Sequence, residues 1–473
     1  MYFGRREVIH TISFGSLACL FGLGRAFTQT KTAAGELPFF LTPEKAGYGQ
    51  ACQLFNSRLK LRPKIVAVCQ SETEVAAALR YAHGKNTQVT VKSGGHSFEG
   101  FSSNNGGLMV DLSGMKTMTY DSKQKTLKAQ PGCKLGDVGK LLFPKGRLLP
   151  SGSCAGVGLA GLTLGGGYGL FARKYGLTCD HLIGVRMVDG QGNVHDSDQQ
   201  PDLLKVCRGG GNGNFGIITE LRFRTVPAPK SFSSKRIRFR NLTPEKVGDL
   251  AKLWFKATDG LPGDVFSAFV LNGTQLTVLI TFFEPASRQV VETHFGPMAK
   301  DAWKSEPVHV APTERAIRRY YGRSGPLPFK NASAGYYKSH ADIASVIPRI
   351  AEQVADVSGT VWQINTLGGR INSHDFAKES VYPHRSYPWL GEIQAYWDRE
   401  SRATKCIENV RAVQKILLGA GINKHYRNYP DIEFKDWERS YYGDESLKMI
   451  RQMKQRFDPA DIIRHPQSIR LES

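Results

Sequence analysis

Two nucleophilic side chains stand inside glycine-rich loops. His96 lies in Ser93-Gly94-Gly95-His96-Ser97. Cys154 lies near the start of a longer run that includes Gly152, Val157, Gly158, Gly161 and Gly165-Gly166-Gly167-Tyr168-Gly169. A third run, Arg208 to Gly216, leads into Ile217-Ile218-Thr219. Successive glycines let backbone N–H groups crowd an anion, so a diphosphate is the natural guest. No run has the strand, G-x-G-x-x-G, helix and acidic residue of a Rossmann site, and no Walker A lysine follows a suitable loop. One such cluster reads as readily as tight turns between strands. Three within about 125 residues, two of them holding a lone nucleophile, are harder to dismiss.

These loops must be carried by alternating strands and helices over residues 60–230. Ser71-Glu-Thr-Glu74 predicts a capping box and a helix through Tyr81. Residues 88–92 and 107–112 alternate like strands. From about 230 the pattern changes. Residues 235–240 alternate, residues 265–283 predict two strands around the turn Asn272-Gly273, and helices are expected over 246–258 and 288–299. That is an antiparallel sheet with helices. Leu447, Ile450, Met453 and Phe457 mark one face of a helix over 444–457, ended by Pro459.

The 473 residues allow two or three domains and a sizeable core, with 41% hydrophobic and 22% charged residues. The net charge of +21 favours polyanions, but the basic residues are scattered and no nucleic acid is expected as a partner. Arg315, Arg318, Arg319 and Arg323 read as a solvated face. Arg5-Arg6 followed by the uncharged stretch Ile12 to Leu23 and Gly24-Arg25-Ala26 reads as a bacterial twin-arginine (Tat) signal over residues 1–26. The expected location is therefore periplasmic or secreted, with the Tat export machinery as a partner. The apolar run is too short to span a bilayer, and no integral membrane segment is expected. Losing residues 1–26 removes three arginines and one glutamate, so the charge falls by two to +19. Of eight cysteines, seven remain after cleavage; none forms a C-x-x-C pair or a zinc cluster, so no metal is expected. Cys52 and Cys69 are candidates for a bridge. An odd count leaves one thiol that is either buried and inert or covalently occupied.

The ordered landmarks Ser93-Gly-Gly-His96-Ser97, Gly152-x-Cys154-x-x-Val157-Gly158, Gly165-Gly-Gly-Tyr-Gly169, Arg208–Gly216, Tyr382-Pro-His-Arg385, Ile393-Gln394, Tyr426-Arg-Asn-Tyr429, Tyr441-Tyr-Gly443 and Gln467-Ser-Ile469 resemble the berberine-bridge-enzyme-like family of FAD-linked oxidases. The resemblance covers about residues 45–470. It implies an α+β fold: a two-part FAD-binding domain of the vanillyl-alcohol-oxidase type at 27–228, a substrate domain with an antiparallel sheet covered by helices at 229–415, and a C-terminal segment, 416–473, returning to the FAD domain. It implies FAD held by Ser93, Gly94, Gly95, Ser97, Val157, Gly158, Gly161, Gly166, Gly167, Tyr168, Gly169, Gly216, Ile218 and Asn428, and bonded covalently through both His96 and Cys154. Imidazole nitrogen and thiolate are fitting nucleophiles for an electron-poor ring edge.

The resemblance also assigns the chemistry. Tyr429, the second tyrosine of the motif, is the implied base that takes a hydroxyl proton while hydride leaves carbon. A phenol titrates near ~10, so a phenolate needs nearby cations or donors; Lys424, Arg427 and Lys338 are the candidates. Gln394 is the implied substrate-facing amide, suited to a hydroxyl-bearing substrate. Val157, small, sits where oxygen access is set, which favours an oxidase producing H2O2. The expected activity is oxidation of a CH–OH group in a sugar, an oligosaccharide or an aromatic secondary metabolite, with O2 as acceptor. A dehydrogenase passing electrons to a quinone or cytochrome, and a non-catalytic flavin- or drug-binding protein, are the alternatives. Leu162-Thr163, Lys205-Val206-Cys207 and Cys69 depart from the usual pattern and mark a divergent member. Aromatics such as Trp254, Phe269, Trp362 and Tyr396 are expected to be shared between core and pocket.

Overall fold

The computed structural model describes residues 37–323 and 325–471, so the signal-like segment 1–26 lies outside the described residues. In the first part, Ile65–Val68, Leu108–Asp111 and Val89–Lys92 run parallel, with Phe39–Leu41 antiparallel at one edge. The helix Glu72–Gly84 buries Val75, Ala78, Leu79 and Ala82 against them. Ser71 caps it by accepting from Glu74 N at 3.2 Å. The reciprocal half of the expected capping box is absent: the Glu74 carboxylate accepts from Gln70 N at 2.6 Å instead, one residue earlier.

A second, antiparallel sheet runs in the order Met118–Asp121, Thr126–Ala129, Ile217–Arg224, Leu182–Val188, Val194–Asp196. The long helix Trp437–Phe457 covers it, burying Leu447, Ile450, Met453 and Phe457 as the periodicity requires. It begins seven residues earlier than expected and breaks at Gly443, whose φ of 64° admits no ordinary side chain without strain. Beyond it, Ile462 and Arg464 pair with Val89 at the edge of the parallel sheet.

The third sheet is antiparallel, in the order Lys304–Ser305, Ser231–Phe239, Gln275–Phe282, Phe266–Asn272, Thr360–Thr366, Trp389–Tyr396, Phe329–Tyr337, with His309–Pro312 also on Ser231–Phe239. Strand alternation splits its faces. Trp362, Ile364, Ile393 and Phe269 join Trp254 of the helix Pro244–Thr258, and the helices Ile347–Asp356 and Ala403–Gly419, in one large core. The other face carries Gln363, Asn365, Glu392, Gln394 and Asn331, and these polar residues look toward the glycine loops. The seven described cysteines are all unpaired. Cys52 and Cys69 are separately buried, so the expected bridge is corrected: each thiol fills its own apolar site.

The C-terminal return hangs on one buried cation. Lys454 Nζ donates to Asp458 Oδ2 at 2.6 Å and Ile463 O at 2.7 Å, with Asp461 at 2.7 Å, while Asp458 accepts from Ile462 N and Ile463 N. Both Lys454 and Asp458 side chains have no exposed surface. Breaking such a pair leaves an uncompensated buried charge, at a cost of about 3–5 kcal/mol. Lys454→Met is expected to lower the unfolding free energy by that amount, read as a fall in Tm by calorimetry.

Candidate functional site

The first and second glycine loops touch. A side-chain carbon on Gly94 would lie 2.4 Å from Gly158 N, and one on Gly158 would lie 2.5 Å from Gly94 N. Gly156 brings the second loop to 3.1 Å from His96 Nε2 by the same measure. His96 stacks on Phe55, centroids 3.9 Å apart. Burial and the Lys134 charge lower its pKa to about 4, so the imidazole is neutral and its ring nitrogen is free to act as a nucleophile. Cys154 is exposed at the mouth of the cleft but crowded by protein on its other sides, and Gly322 of a neighbouring loop approaches its sulfur. That crowding and the charge of Glu392 push the thiol up to about 11. No cation offsets the desolvation, so the thiol needs a base before it can act as the thiolate nucleophile.

The other predicted cofactor residues fall into three groups. Ser93 Oγ donates to Pro131 O, Ser97 Oγ accepts from Phe101 N, and Gly95 has φ +67°, so the first loop is locally fixed. Val157 is tied by its backbone to Leu135 and Cys154. Gly166 and Gly167 have positive φ, and Gly169 sits so close to Ser151 O that a methyl would meet it at 2.0 Å. Tyr168 is joined to Tyr429 rather than facing the loops alone. Gly161 has open space around it, Gly216 packs on Met187, and Ile218 buries its side chain in the core of the second sheet. Asn428 donates to Leu162 O at 3.0 Å and accepts from Asn212 of the third loop at 2.8 Å. The second and third loops therefore meet at Asn428, and Phe98, one residue beyond the first, stacks on Tyr429 at 5.2 Å. Buried oxygens of Ser102 and Ser103, just beyond the first loop, and of Asn212 in the third have no protein partner. Touching glycines, a neutral imidazole and orphaned polar atoms fit an extended phosphate-bearing cofactor.

Sequence reasoning missed the carboxylate at the centre. Glu392 is buried beside Tyr429 and Gln394, both hydrogen-bonded to it. Donors run toward it from two sides. On one, Gln363 donates to Asn365 (2.6 Å), Asn365 to the Tyr168 hydroxyl (3.2 Å), and Tyr168 and Tyr429 share a 2.6 Å contact ending at Glu392. On the other, Asn331 donates to the Tyr396 hydroxyl (2.9 Å), Tyr396 to Gln394 (3.2 Å), and Gln394 to Glu392. Burial outweighs the two hydrogen bonds and raises the Glu392 pKa to about 8. The same burial and the Glu392 charge push the Tyr429 phenol well above its usual range. The expected cations are corrected too. Arg427 donates to the Tyr442 hydroxyl and His465, Lys338 lies over the Tyr387 ring, and no hydrogen bond or ion pair joins Lys424 to Tyr429 among the described residues. The spacing Glu392-x-Gln394 was a usable signal, since alternate strand residues share a face.

Two glycine-lined halves, an antiparallel sheet and a tyrosine–carboxylate pair between them define an FAD-linked oxidoreductase fold of the vanillyl-alcohol-oxidase type. Family models described as "FAD binding domain" and "Berberine and berberine like" match residues 63–198 and 425–470. An uncharacterized FAD-linked oxidoreductase of Bacillus subtilis, YgaK, is 30% identical over 443 residues, 91% of this chain and 96% of that one. The chitooligosaccharide oxidase of Gibberella zeae is 30% identical over 451 residues, 88% and 89%. The solved Physcomitrella patens BBE-like 1 superimposes with a TM-score of 0.83 at 23% identity, covering 92% and 97%. The chain belongs to the berberine-bridge-enzyme-like family of FAD-linked oxidoreductases.

Gly94→Ala forces the first two loops apart. Overpacking costs about 1–3 kcal/mol, so the purified variant is expected to carry a small fraction of the wild-type flavin per chain, measured by visible absorbance against protein mass.

Proposed function

We propose that this protein is an exported oxidase that takes hydride from a CH–OH group of a sugar or oligosaccharide and reduces O2 to H2O2. The observation that carries the reading is the convergence of donors on Glu392 next to Tyr429. A phenol held above its normal pKa is a poor base alone. Coupled to a carboxylate near pKa 8, it becomes a relay: the substrate hydroxyl proton passes to Tyr429 Oη as the Tyr429 proton passes to Glu392. The Tyr168 hydroxyl, 2.6 Å from that of Tyr429, holds the phenol in place. Bound FAD supplies the two-electron acceptor for the carbinol hydride. His96 and Cys154, facing the same cleft, support a double covalent attachment. The carboxamides of Gln363, Asn365, Gln394 and Asn331 on one sheet face suit a substrate rich in hydroxyls, in keeping with the chitooligosaccharide oxidase among the relatives. Val157 at the cysteine loop leaves room for O2.

Anaerobic mixing with chito-, xylo- and cello-oligosaccharides is expected to bleach the flavin, and air to restore it within a turnover. No bleaching by any of them, or recovery slower than turnover with an artificial acceptor, overturns the corresponding half of the reading. Tyr429→Phe is expected to slow bleaching by about 10²–10⁴-fold. Because the carboxylate is the active form of Glu392, the bleaching rate should rise with pH through about 8, and Glu392→Gln should both slow it and flatten that rise. Denatured protein should retain its flavin mass unless both His96 and Cys154 are replaced.

A further inference from the structure

The base loop and the cofactor loop are fastened to each other by a lysine outside the relay. Lys330, near the start of the strand Phe329–Tyr337, is 2% exposed at its side chain. Its ammonium donates to Glu99, three residues after His96, and to Asp431 at 2.7 Å, two residues after Tyr429. Glu99 and Asp431 are equally buried, at 3% and 2%. Arg58 donates to the second Glu99 oxygen at 3.0 Å, so two cations face two carboxylates. Directly beside this cluster runs a ladder of rings. His96 stacks on Phe55, Phe55 lies 6.1 Å from Phe329, Phe329 meets Phe98 edge-on at 5.5 Å, and Phe98 lies parallel to Tyr429 at 5.2 Å. Asn56 binds the carbonyls of both Phe98 and Phe329, at 2.8 and 3.1 Å. The segments 55–58, 96–99 and 429–431 therefore come together at Phe329-Lys330.

We propose that Lys330 is a positioning residue: its ammonium ties the His96 loop to the Tyr429 loop and so sets where the base stands over the cofactor. The proposal rests on the reading of Tyr429 as the base. The ring contacts are individually soft, whereas a buried ammonium shared by two carboxylates has fixed direction and length. Without the ammonium, Asp431 loses its lysine partner, and the Tyr429 loop keeps its ties to Ser333, Tyr441 and Gln467 but has no polar link to the His96 loop. A displacement of about 1 Å at a reacting group can cost 10²-fold in rate.

Two readouts test this on the intact holoprotein. In Lys330→Met, amides of residues 425–433 are expected to exchange faster while the flavin stays covalently bound. With the oligosaccharide that bleaches the wild type, kcat should fall about 10–100-fold with KM little changed, and the rise in rate near pH 8 should shift as Tyr429 leaves Glu392. Lys330→Met with Asp431→Asn removes the orphaned charge without restoring the tether. It is expected to regain thermal stability but neither the rate nor the slow exchange, and it also serves if the single variant does not fold. Unaltered exchange and rate in the folded variants overturn the proposal. So does recovery of rate together with stability in the double variant, which would make Lys330 a mere charge balance. The exchange measurement needs no substrate. A Tyr429→Phe protein with undiminished bleaching would defeat the base assignment separately, and with it this role for Lys330.

Discussion

A carboxylate with no water around it is costly unless donors surround it. Glu392 receives two, each the end of a longer chain of amides and phenols. The result is a group that is neither firmly charged nor firmly neutral near pH 8. Nearly everything else in the cleft can be understood as holding that balance. Three neighbouring strands supply the chains, and their registers, Glu392 opposite Gln363 and Gln394 opposite Asn331, bring the amides to one face. Ser333 N, on the same sheet, holds the Tyr429 carbonyl at 2.9 Å.

The two sides of the cleft answer different demands. The glycine side is shaped by the absence of side chains, since two backbones approach where any methyl would collide. The sheet side is shaped by their abundance: one face is packed with Trp254, Trp362 and Phe269, and the other is given over to amides and phenols. Dense packing behind the sheet is what allows polar residues in front of it to keep fixed directions. The C-terminal residues close the gap between the sides, with Asn428 bound to two glycine loops and Tyr429 bound to the sheet.

Much of this was written locally in the chain. Glycine runs, the turn signal at Asn272-Gly273 and the spacing from Leu447 to Phe457 depend on near neighbours, and they led to the right elements, although the hairpin turns one residue later, at Gly273-Thr274, with Asn272 paired to Gln275. The family resemblance placed His96, Cys154 and Tyr429 in one protein, and the structure brings their loops together. Other features depend on distant pairing. Glu392 meets Tyr429 across 37 residues of chain, and nothing in the strand's own alternation says which loop its polar face will meet. Lys424 and Arg427 were nominated as neighbours of Tyr429 because they are near in sequence. Yet Arg427 is drawn away by Tyr442 and His465, and nearness along a turn says little about direction. Glu74 misled for a smaller reason: its carboxylate accepts from Gln70 N instead of Ser71 N.

The unpaired state of Cys52, Cys69, Cys133, Cys154, Cys179, Cys207 and Cys406 reaches beyond packing. Among the described residues no cystine has to close before the native shape is complete. Over that span the fold is closed by packing and hydrogen bonds alone, and seven thiols stay in their reduced form within it.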